Sequence, residues 1–321
     1  MTTSSIAVRV GRKSHEALDI CSFELVDVDG NALPGFSAGS HIDVNLPGNV
    51  TRQYSLCNDP TESHRYLIAV LKDPHTRGGS QAMHASVQQG DVLQVSAPKN
   101  HFALAQESKR SLLLAGGIGI TPILCMAERL SMDVADFEMH YCARSRERMA
   151  FHDRIERSAF RPRVQFHFDD GAPLQRLDMD VLLKTPQNGT NVYVCGPKGF
   201  MNAVLGTARA RGWPEAQLHY EFFSAEPAKQ DSDGAFYVKL ASSGKIVHVP
   251  KDLSVTAALA AEGVDIPTSC EQGVCGTCLT RVLGGTPDHR DVFLLPDEHQ
   301  KNDQFTPCCS RSKSQMLILD L

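Results

Sequence analysis

The sequence contains no continuous run of about 18 apolar residues, the length that a membrane-spanning helix needs. Residues 1–14 are polar and basic and lack the apolar stretch of a secretory signal. The formal net charge of -5 and the pI of about 6.2 leave no broad basic field for nucleic acid or an anionic membrane. We therefore expect a cytoplasmic protein that binds neither membranes nor nucleic acid.

The cysteines are unevenly distributed. The chain has 10 of them, and five lie between residues 270 and 309. In a chain without an export signal, such crowding indicates metal ligation rather than a disulfide framework. The other five are spread over the first two thirds of the chain: Cys21, Cys57, Cys125, Cys142 and Cys195.

The crowded segment contains the pattern Cys-x4-Cys-x2-Cys, followed after 29 residues by a further cysteine. This spacing is typical of a plant-type 2Fe-2S site. Structural zinc, the alternative, usually uses two Cys-x2-Cys-like pairs. Glycines inside the loop would let backbone N–H groups point at the cluster and its sulfurs. The predicted metal ligands are Cys270, Cys275, Cys278 and Cys308, with glycines at Gly273 and Gly276.

The fourth ligand has a competitor, because Cys308 and Cys309 are adjacent. The spacing favours Cys308. Cys309 is then interpreted as a packed free thiol.

Three unlike modules follow one another along the chain. Short β-rich runs separated by Gly and Pro predict a small antiparallel barrel in the first module. Continuous apolar strands alternating with helical stretches then predict an α/β domain with a parallel sheet. A polar, charged stretch predicts a linker to the third module. The predicted domains are residues 1–107, 108–225 and 235–321, with the linker at 226–234.

Two short motifs in the first module indicate a flavin phosphate site. An arginine can bind a phosphate through its planar fork, and a Gly-Gly-Ser turn that opens a helix offers N–H groups to the same phosphate. Arg-x-Tyr-Ser taken alone could equally belong to an ordinary barrel strand. The residues are Arg52, Gln53, Tyr54, Ser55 and Leu56, then Arg77, Gly78, Gly79 and Ser80.

A glycine-rich turn in the second module, residues 116–122, follows a buried strand. It departs from the dinucleotide fingerprint because Pro122 occupies the place of the third glycine. Thr121 suits the N-cap and Pro122 the first helical position, so the turn would present a helix N-terminus to the nucleotide. Gly117 and Gly119 leave the backbone bare for this contact.

In this combination and order, the motifs resemble the phthalate dioxygenase reductase family over the whole chain. These are single-chain FMN and iron-sulfur reductases that serve Rieske oxygenases. The resemblance implies a multidomain fold with an antiparallel β-barrel flavin domain, an α/β nucleotide-binding domain and an α+β ferredoxin-like (β-grasp) iron-sulfur domain.

The resemblance also implies roles for particular residues. Ser55 would lie near the flavin N5, and Phe223 beside the flavin, unless it simply packs in the core. Cys195, Gly196 and Pro197 would form the second half of the nucleotide pocket, with the Cys195 sulfur near the nicotinamide C4. A cysteine packed as a small hydrophobic residue is the alternative.

The expected function is electron transfer from NADH through FMN to the 2Fe-2S cluster and then to a terminal Rieske oxygenase, by a monomeric protein in aromatic catabolism. NADPH stays an alternative donor, because Arg144, Arg146 and Arg148 could bind a 2′-phosphate. Two other functions are possible. One is an FAD reductase of a non-Rieske hydroxylase, and the other is a redox carrier with a cluster alone.

Overall fold

The structure is a computed structural model that describes residues 5–46, 50–73, 78–223 and 233–321. The chain divides into two compact units, Met1–Phe222 and Phe223–Leu321. Within the described ranges, no helix has the length and apolar character needed to cross a membrane.

The first sheet of unit one is antiparallel. The ends of the sheet meet, because Leu56, the residue after β4 (Val50–Ser55), forms an antiparallel bridge with Ile68 of β5 (Tyr66–Leu71). Its other strands are β1 (Ile6–Ala17), β2 (Ile20–Asp27), β3 (Ser40–Leu46), β6 (Val92–Val95) and β7 (Lys99–Asn100). The spatial order is β4-β3-β6-β1-β2-β5, and β7 pairs with β3. Helix α1 (Gly79–Ala85) buries Met83 in the core of this sheet.

The second sheet of unit one is parallel, in the order β10-β9-β8-β11-β12. Its strands are β8 (Arg110–Gly116), β9 (Phe137–Ala143), β10 (Val164–Phe168), β11 (Thr190–Cys195) and β12 (Leu218–Glu221). The helices between them are α2 (Ile120–Met132), α3 (His152–Glu156), α4 (Met179–Leu182) and α5 (Lys198–Ala210). Because the central strands are covered on both faces, β8 and β11 are almost continuously buried. The predicted parallel α/β domain is confirmed.

One apolar core joins the two sheets. Ile20 and Phe102 of the barrel part belong to the same buried cluster as Ile123 and Tyr193 of the parallel-sheet part. The Tyr193 hydroxyl accepts a hydrogen bond of 2.8 Å from the Ala105 backbone N–H. This shared core explains why residues 1–222 form a single compact unit.

The start of α2 differs from the prediction. The helix begins at Ile120, after a 3-10 turn at Gly117–Gly119, and Gly119 is its N-cap. Thr121, predicted as the N-cap, lies inside the first turn and donates its hydroxyl to the Ile118 carbonyl at 3.1 Å. Pro122 is also inside the first turn, where no intrahelical N–H bond is needed. Because the 3-10 turn precedes α2 directly, helical structure begins earlier in the chain than the sequence pattern predicted.

Unit two holds a mixed sheet in the order β14-β13-β19-β15-β17, with parallel pairing between β13 and β19. Helix α6 buries Val255, Ala258 and Leu259 in the core of this unit. The strands are β13 (Phe236–Leu240), β14 (Ile246–Val249), β15 (Thr280–Gly284), β16 (Pro287–Asp288), β17 (Gln304–Phe305), β18 (Arg311–Ser312) and β19 (Met316–Leu319). The helices are α6 (Val255–Ala261) and α7 (Pro296–Lys301). The α+β third domain is confirmed.

Of the predicted linker, residues 226–232 lie outside the described part of the chain. Its last two residues are held by unit two. Asp233 forms an ion pair with Arg290, and the Gly234 carbonyl accepts a hydrogen bond from Arg311 at 3.1 Å.

Candidate functional site

The predicted cluster cysteines converge in unit two. All four are buried, and their sulfurs lie within hydrogen-bonding distance of one another: Cys270 with Cys275 and Cys308, and Cys278 with Cys308. Backbone N–H groups also point at two of the sulfurs, from Gln272 to Cys270 at 3.3 Å and from Thr277 to Cys275 at 3.4 Å.

This packing of sulfurs separates the four thiols into two that ionise readily and two that hold their protons. Contacts with the neighbouring sulfurs lower the pKa of Cys270 to about 2 and also lower the pKa of Cys278, while the same contacts raise the pKa values of Cys275 and Cys308 far above their ordinary value. Buried negative charge of this kind needs a cation to compensate it. Four converging sulfurs with N–H donors therefore fit the ligand shell of two irons.

The two glycines of the loop are required by close packing. Both have positive φ, +74° at Gly273 and +69° at Gly276. A Cβ at Gly276 would collide with the ring of Phe293, and one at Gly273 would collide with the Cys309 sulfur. The Cys309 sulfur also lies 3.3 Å from the Thr306 hydroxyl. It is thus wedged behind the loop, beside Cys308.

The flavin motif brings Arg52 and the α1 turn together. A Cβ on Gly79 would lie 2.5 Å from Arg52 Cγ, so the arginine side chain passes directly over the start of the helix. Gly78 has φ of +91°, and Ser80 accepts a hydrogen bond at 3.2 Å from the backbone N–H of Asp73. Arg77 lies outside the described residues.

Two neighbours of Arg52 are half-buried. The Nε2 atom of Gln53 is buried with no hydrogen-bond partner among the described residues, and burial raises the pKa of Tyr54 far above its ordinary value. An orphaned amide nitrogen indicates a ligand acceptor at this place. Leu56 is fully buried in the barrel core.

Ser55, Glu221 and Cys195 form a contact between the two sheets of unit one. The Ser55 hydroxyl donates to Glu221 Oε2 at 3.4 Å, and Glu221 is paired with Cys195 in the register of β11 and β12. Burial raises the pKa of the Glu221 carboxyl to about 8, and the bond from Ser55 opposes this rise. Burial and the charge of Glu221 raise the pKa of Cys195 well above its ordinary value, so the sulfur stays a neutral thiol.

The two halves of the predicted nucleotide pocket touch. A Cβ on Gly119 would collide with the Cys195 carbonyl, and one on Gly196 would lie 3.0 Å from the Gly116 Cα. Pro197 is the N-cap of α5 and packs on Gly116. Glycine is thus needed at these positions so that the turn after β8 can lie against the turn after β11.

The three arginines considered for a 2′-phosphate differ in their contacts. Arg148 pairs with Asp19 at 3.3 Å, and Arg146 contacts His152 at 3.2 Å. Arg144 is exposed, and its carbonyl accepts the N–H of Asp170 at 3.2 Å.

Comparison with known proteins gives the family. Residues 113–205 match the oxidoreductase NAD-binding domain, and residues 238–313 match the 2Fe-2S iron-sulfur cluster binding domain. The vanillate O-demethylase oxidoreductase of Pseudomonas putida is 58% identical over 98% of this chain and 99% of its own. The phthalate dioxygenase reductase of Burkholderia cepacia is 38% identical over 98% of this chain and 97% of its own. The chain belongs to the phthalate dioxygenase reductase family.

A solved phthalate dioxygenase reductase, a modular structure for electron transfer from pyridine nucleotides to [2Fe-2S], matches this fold with a TM-score of 0.78. That match has 38% identity and covers 99% of this chain and 98% of the other. A type IV self-sufficient cytochrome P450 monooxygenase matches with a TM-score of 0.86 and 40% identity, over 99% of this chain but 41% of the other. The chain is thus an oxidoreductase of this family, with an NAD-binding domain and a 2Fe-2S domain.

The reductase-family resemblance is therefore confirmed, while the roles of single residues stay predictions. Phe223 is 37% exposed and is the first residue of unit two, and its place beside a flavin stays a prediction. Sequence reasoning missed Glu221. The sequence does carry a signal for it, because Glu221 is a carboxylate in an otherwise aromatic stretch, Tyr220 to Phe223.

Proposed function

We propose that this reductase passes electrons from NADH through FMN and a 2Fe-2S cluster to the terminal component of a Rieske-type oxygenase. The observation that carries the proposal is the full-length match to a vanillate O-demethylase oxidoreductase, together with the converging cysteines and the paired glycine turns. When bound, the nicotinamide supplies a hydride, and the flavin and the cluster pass its electrons on singly.

The flavin is held by the barrel part. Arg52 and the N–H groups at Gly78, Gly79 and Ser80 bind the phosphate, and Arg77 adds a second cation. Gln53 Nε2 donates to the flavin, which would satisfy its buried amide. Tyr54 and Ser55 line the same strand end, and Ser55 orients its hydroxyl through Glu221.

The nicotinamide nucleotide is held by the parallel-sheet part. The turn at Gly117–Gly119 and the segment Cys195 to Pro197 provide bare backbone for the nucleotide, and Thr121 and Pro122 shape the first turn of α2 behind it. Cys195 remains a neutral thiol that fills the space beside the reacting ring. Glu221, with a pKa of about 8, keeps a proton at neutral pH and so adds no full negative charge at this buried place.

The cluster is held by Cys270, Cys275, Cys278 and Cys308, and Phe223 contacts the flavin. We assign residues 1–107 to flavin binding, 108–225 to NADH binding and 235–321 to the cluster, joined by the linker at 226–234. The protein works as a monomer in the cytoplasm, where NADH is available.

The Rieske partner is supported by redox energetics. Plant-type clusters lie near roughly -400 mV, whereas Rieske centres begin at about -150 mV, so electrons would run downhill. The relatives named vanillate O-demethylase oxidoreductase and phthalate dioxygenase reductase favour a partner that acts on an aromatic acid.

Two measurements test the proposal. Cofactor extraction should give FMN with two irons per chain; FAD would favour a non-Rieske hydroxylase reductase, and no flavin would favour a carrier with a cluster alone. Reconstitution with the oxygenase component of a vanillate demethylase and with that of a phthalate dioxygenase should give product with the first. No product with any Rieske component would refute the partner assignment.

A further inference from the structure

A buried carboxylate lies directly behind the cysteine loop. The side chain of Asp291 has no exposed surface, and a Cβ on Gly273 would lie 2.8 Å from Asp291 Cβ. The neighbouring Val292 N–H donates to the Gly273 carbonyl at 3.0 Å, which fixes this segment to the loop. Asp291 therefore lies close enough to the loop to interact electrostatically with any change in the charge of the loop.

Asp291 is stabilised by several donors. It accepts hydrogen bonds from the Leu294 N–H at 2.8 Å and from the Ser310 hydroxyl at 3.4 Å. His299 Nε2 of helix α7 lies 3.2 Å and 3.3 Å from its two oxygens. The His299 side chain is 28% exposed, so solvent can exchange protons with the ring.

The second imidazole here stacks on the first. The rings of His289 and His299 are 4.4 Å apart and inclined by 25°. Burial lowers the pKa of His289, so this ring is the neutral member of the stack. Of the two histidines, His299 is the one that lies within hydrogen-bonding distance of Asp291 and is partly exposed to solvent.

We propose that the pair Asp291 and His299 couples reduction of the cluster to uptake of one proton. The proposal rests on the proposed cluster ligands. As one electron arrives on the cluster from the flavin, the negative charge behind the loop rises and the imidazolium form of His299 becomes more favourable. His299 keeps its Nε2 proton on Asp291 and takes a proton from water at Nδ1, so one electron and one proton enter together.

The other charged groups near the pair do not duplicate this role. The positive charge of Lys313 contributes to lowering the pKa of His289, and the negative charge of Asp291 acts to raise the pKa of Cys309. On α7 itself, Glu298 caps the helix by accepting the Leu295 N–H at 2.8 Å. Arg290 is occupied by Asp233 and Asp288. Unlike these groups, His299 is both partly exposed to solvent and within hydrogen-bonding distance of Asp291.

The test is a redox titration of the holoprotein between pH 6 and pH 9, with the reduced cluster measured by its electron paramagnetic resonance signal. The wild-type midpoint potential should fall as the pH rises. His299→Gln should remove this dependence and give a lower potential than wild type at pH 6, because its side chain cannot take a charge. His248→Gln, an exposed histidine of β14, should keep the wild-type slope.

Two outcomes would overturn the proposal: a wild-type potential that does not change with pH, or a slope that survives in His299→Gln. Asp291→Asn gives a second reading, because loss of the carboxylate charge should raise the potential at pH 9. A purified protein without two irons would instead refute the proposed cluster function.

Discussion

Ser55 Oγ lies 3.4 Å from Glu221 Oε2 and joins the end of β4 to the end of β12. The contact connects the strand that carries the flavin motif to the edge of the parallel sheet that carries Cys195. It is also the place where a buried carboxyl holds its proton near neutral pH. Its titration should be visible in the stability of the whole unit.

We predict that Glu221→Gln removes one component of the pH dependence of stability. Because the pKa of Glu221 is about 8 in the folded protein and near 4.5 when unfolded, the unfolded chain loses this proton first as the pH rises. Wild type therefore loses stability between about pH 4.5 and pH 8 through this group, and the Tm of Glu221→Gln minus that of wild type should increase from pH 5 to pH 8.

Glu215→Gln is the matched control. Its hydrogen bond to Arg209 lowers the pKa of Glu215, so the group is already ionised in both states above pH 5. The Tm difference between this variant and wild type should stay constant from pH 5 to pH 8. A constant difference for Glu221→Gln as well would contradict the raised pKa.

The fourth cluster ligand can be assigned by substitution. Cys308→Ser should abolish the visible absorption of the cluster and the bound iron, because its sulfur lies among those of Cys270 and Cys278. Cys309→Ser should largely preserve both, since this sulfur packs on Gly273 and Thr306. The reverse result would exchange the two roles.

The local patterns predicted most of the fold. Short β-rich runs predicted the antiparallel sheet of the first module, and apolar strands alternating with helical stretches predicted the parallel sheet of the second. The cysteine spacing likewise predicted which four sulfurs lie together in the structure. Such features follow from short-range rules about burial and ligand geometry, which the chain carries locally.

The remaining features depend on packing between distant segments. Nothing in the local sequence places Glu221 beside Ser55, 166 residues earlier, because the contact exists only once two sheets share a core. The same holds for Asp291 and the loop glycine Gly273. Arg144, Arg146 and Arg148 look like a cluster in the sequence, yet Arg148 is paired with Asp19 of the barrel part.

The nucleotide pocket should depend on Gly119, which lies directly against the backbone of Cys195. In Gly119→Ala the new methyl group would collide with the Cys195 carbonyl, which cannot move aside as a flexible side chain could. We expect a loss of about 1–3 kcal/mol in unfolding free energy and a raised KM for NADH. Gly206→Ala, whose Cβ would meet no described atom within 4 Å, should keep the KM and gain up to about 1 kcal/mol. Equal KM values in the two variants would contradict the contact.

Flavin retention should depend on the guanidinium of Arg52 rather than on its charge alone. Arg52→Lys keeps the charge but loses the planar fork that can bind a phosphate through two parallel bonds. We expect weaker retention of FMN, measured as the Kd from fluorescence titration and raised by about tenfold, or about 1.4 kcal/mol. Arg12→Lys, at an exposed position on β1 of the same sheet, should leave the Kd unchanged. An unchanged Kd in Arg52→Lys would remove this residue from the phosphate site.

The preference for NADH over NADPH should depend on side chains at the C-terminal ends of the parallel strands. Asp169 and Asp170 come directly after β10, and their N–H groups bond to the carbonyls of Ala143 and Arg144 at 3.1 Å and 3.2 Å. Carboxylates at this edge suit a ribose hydroxyl and repel a 2′-phosphate. We expect kcat/KM for NADH to exceed that for NADPH by at least about tenfold, and Asp169→Asn to narrow this ratio by improving NADPH. Asp136→Asn, at the opposite end of the sheet before β9, should leave the ratio as it is. A ratio below one in wild type would contradict the preference for NADH.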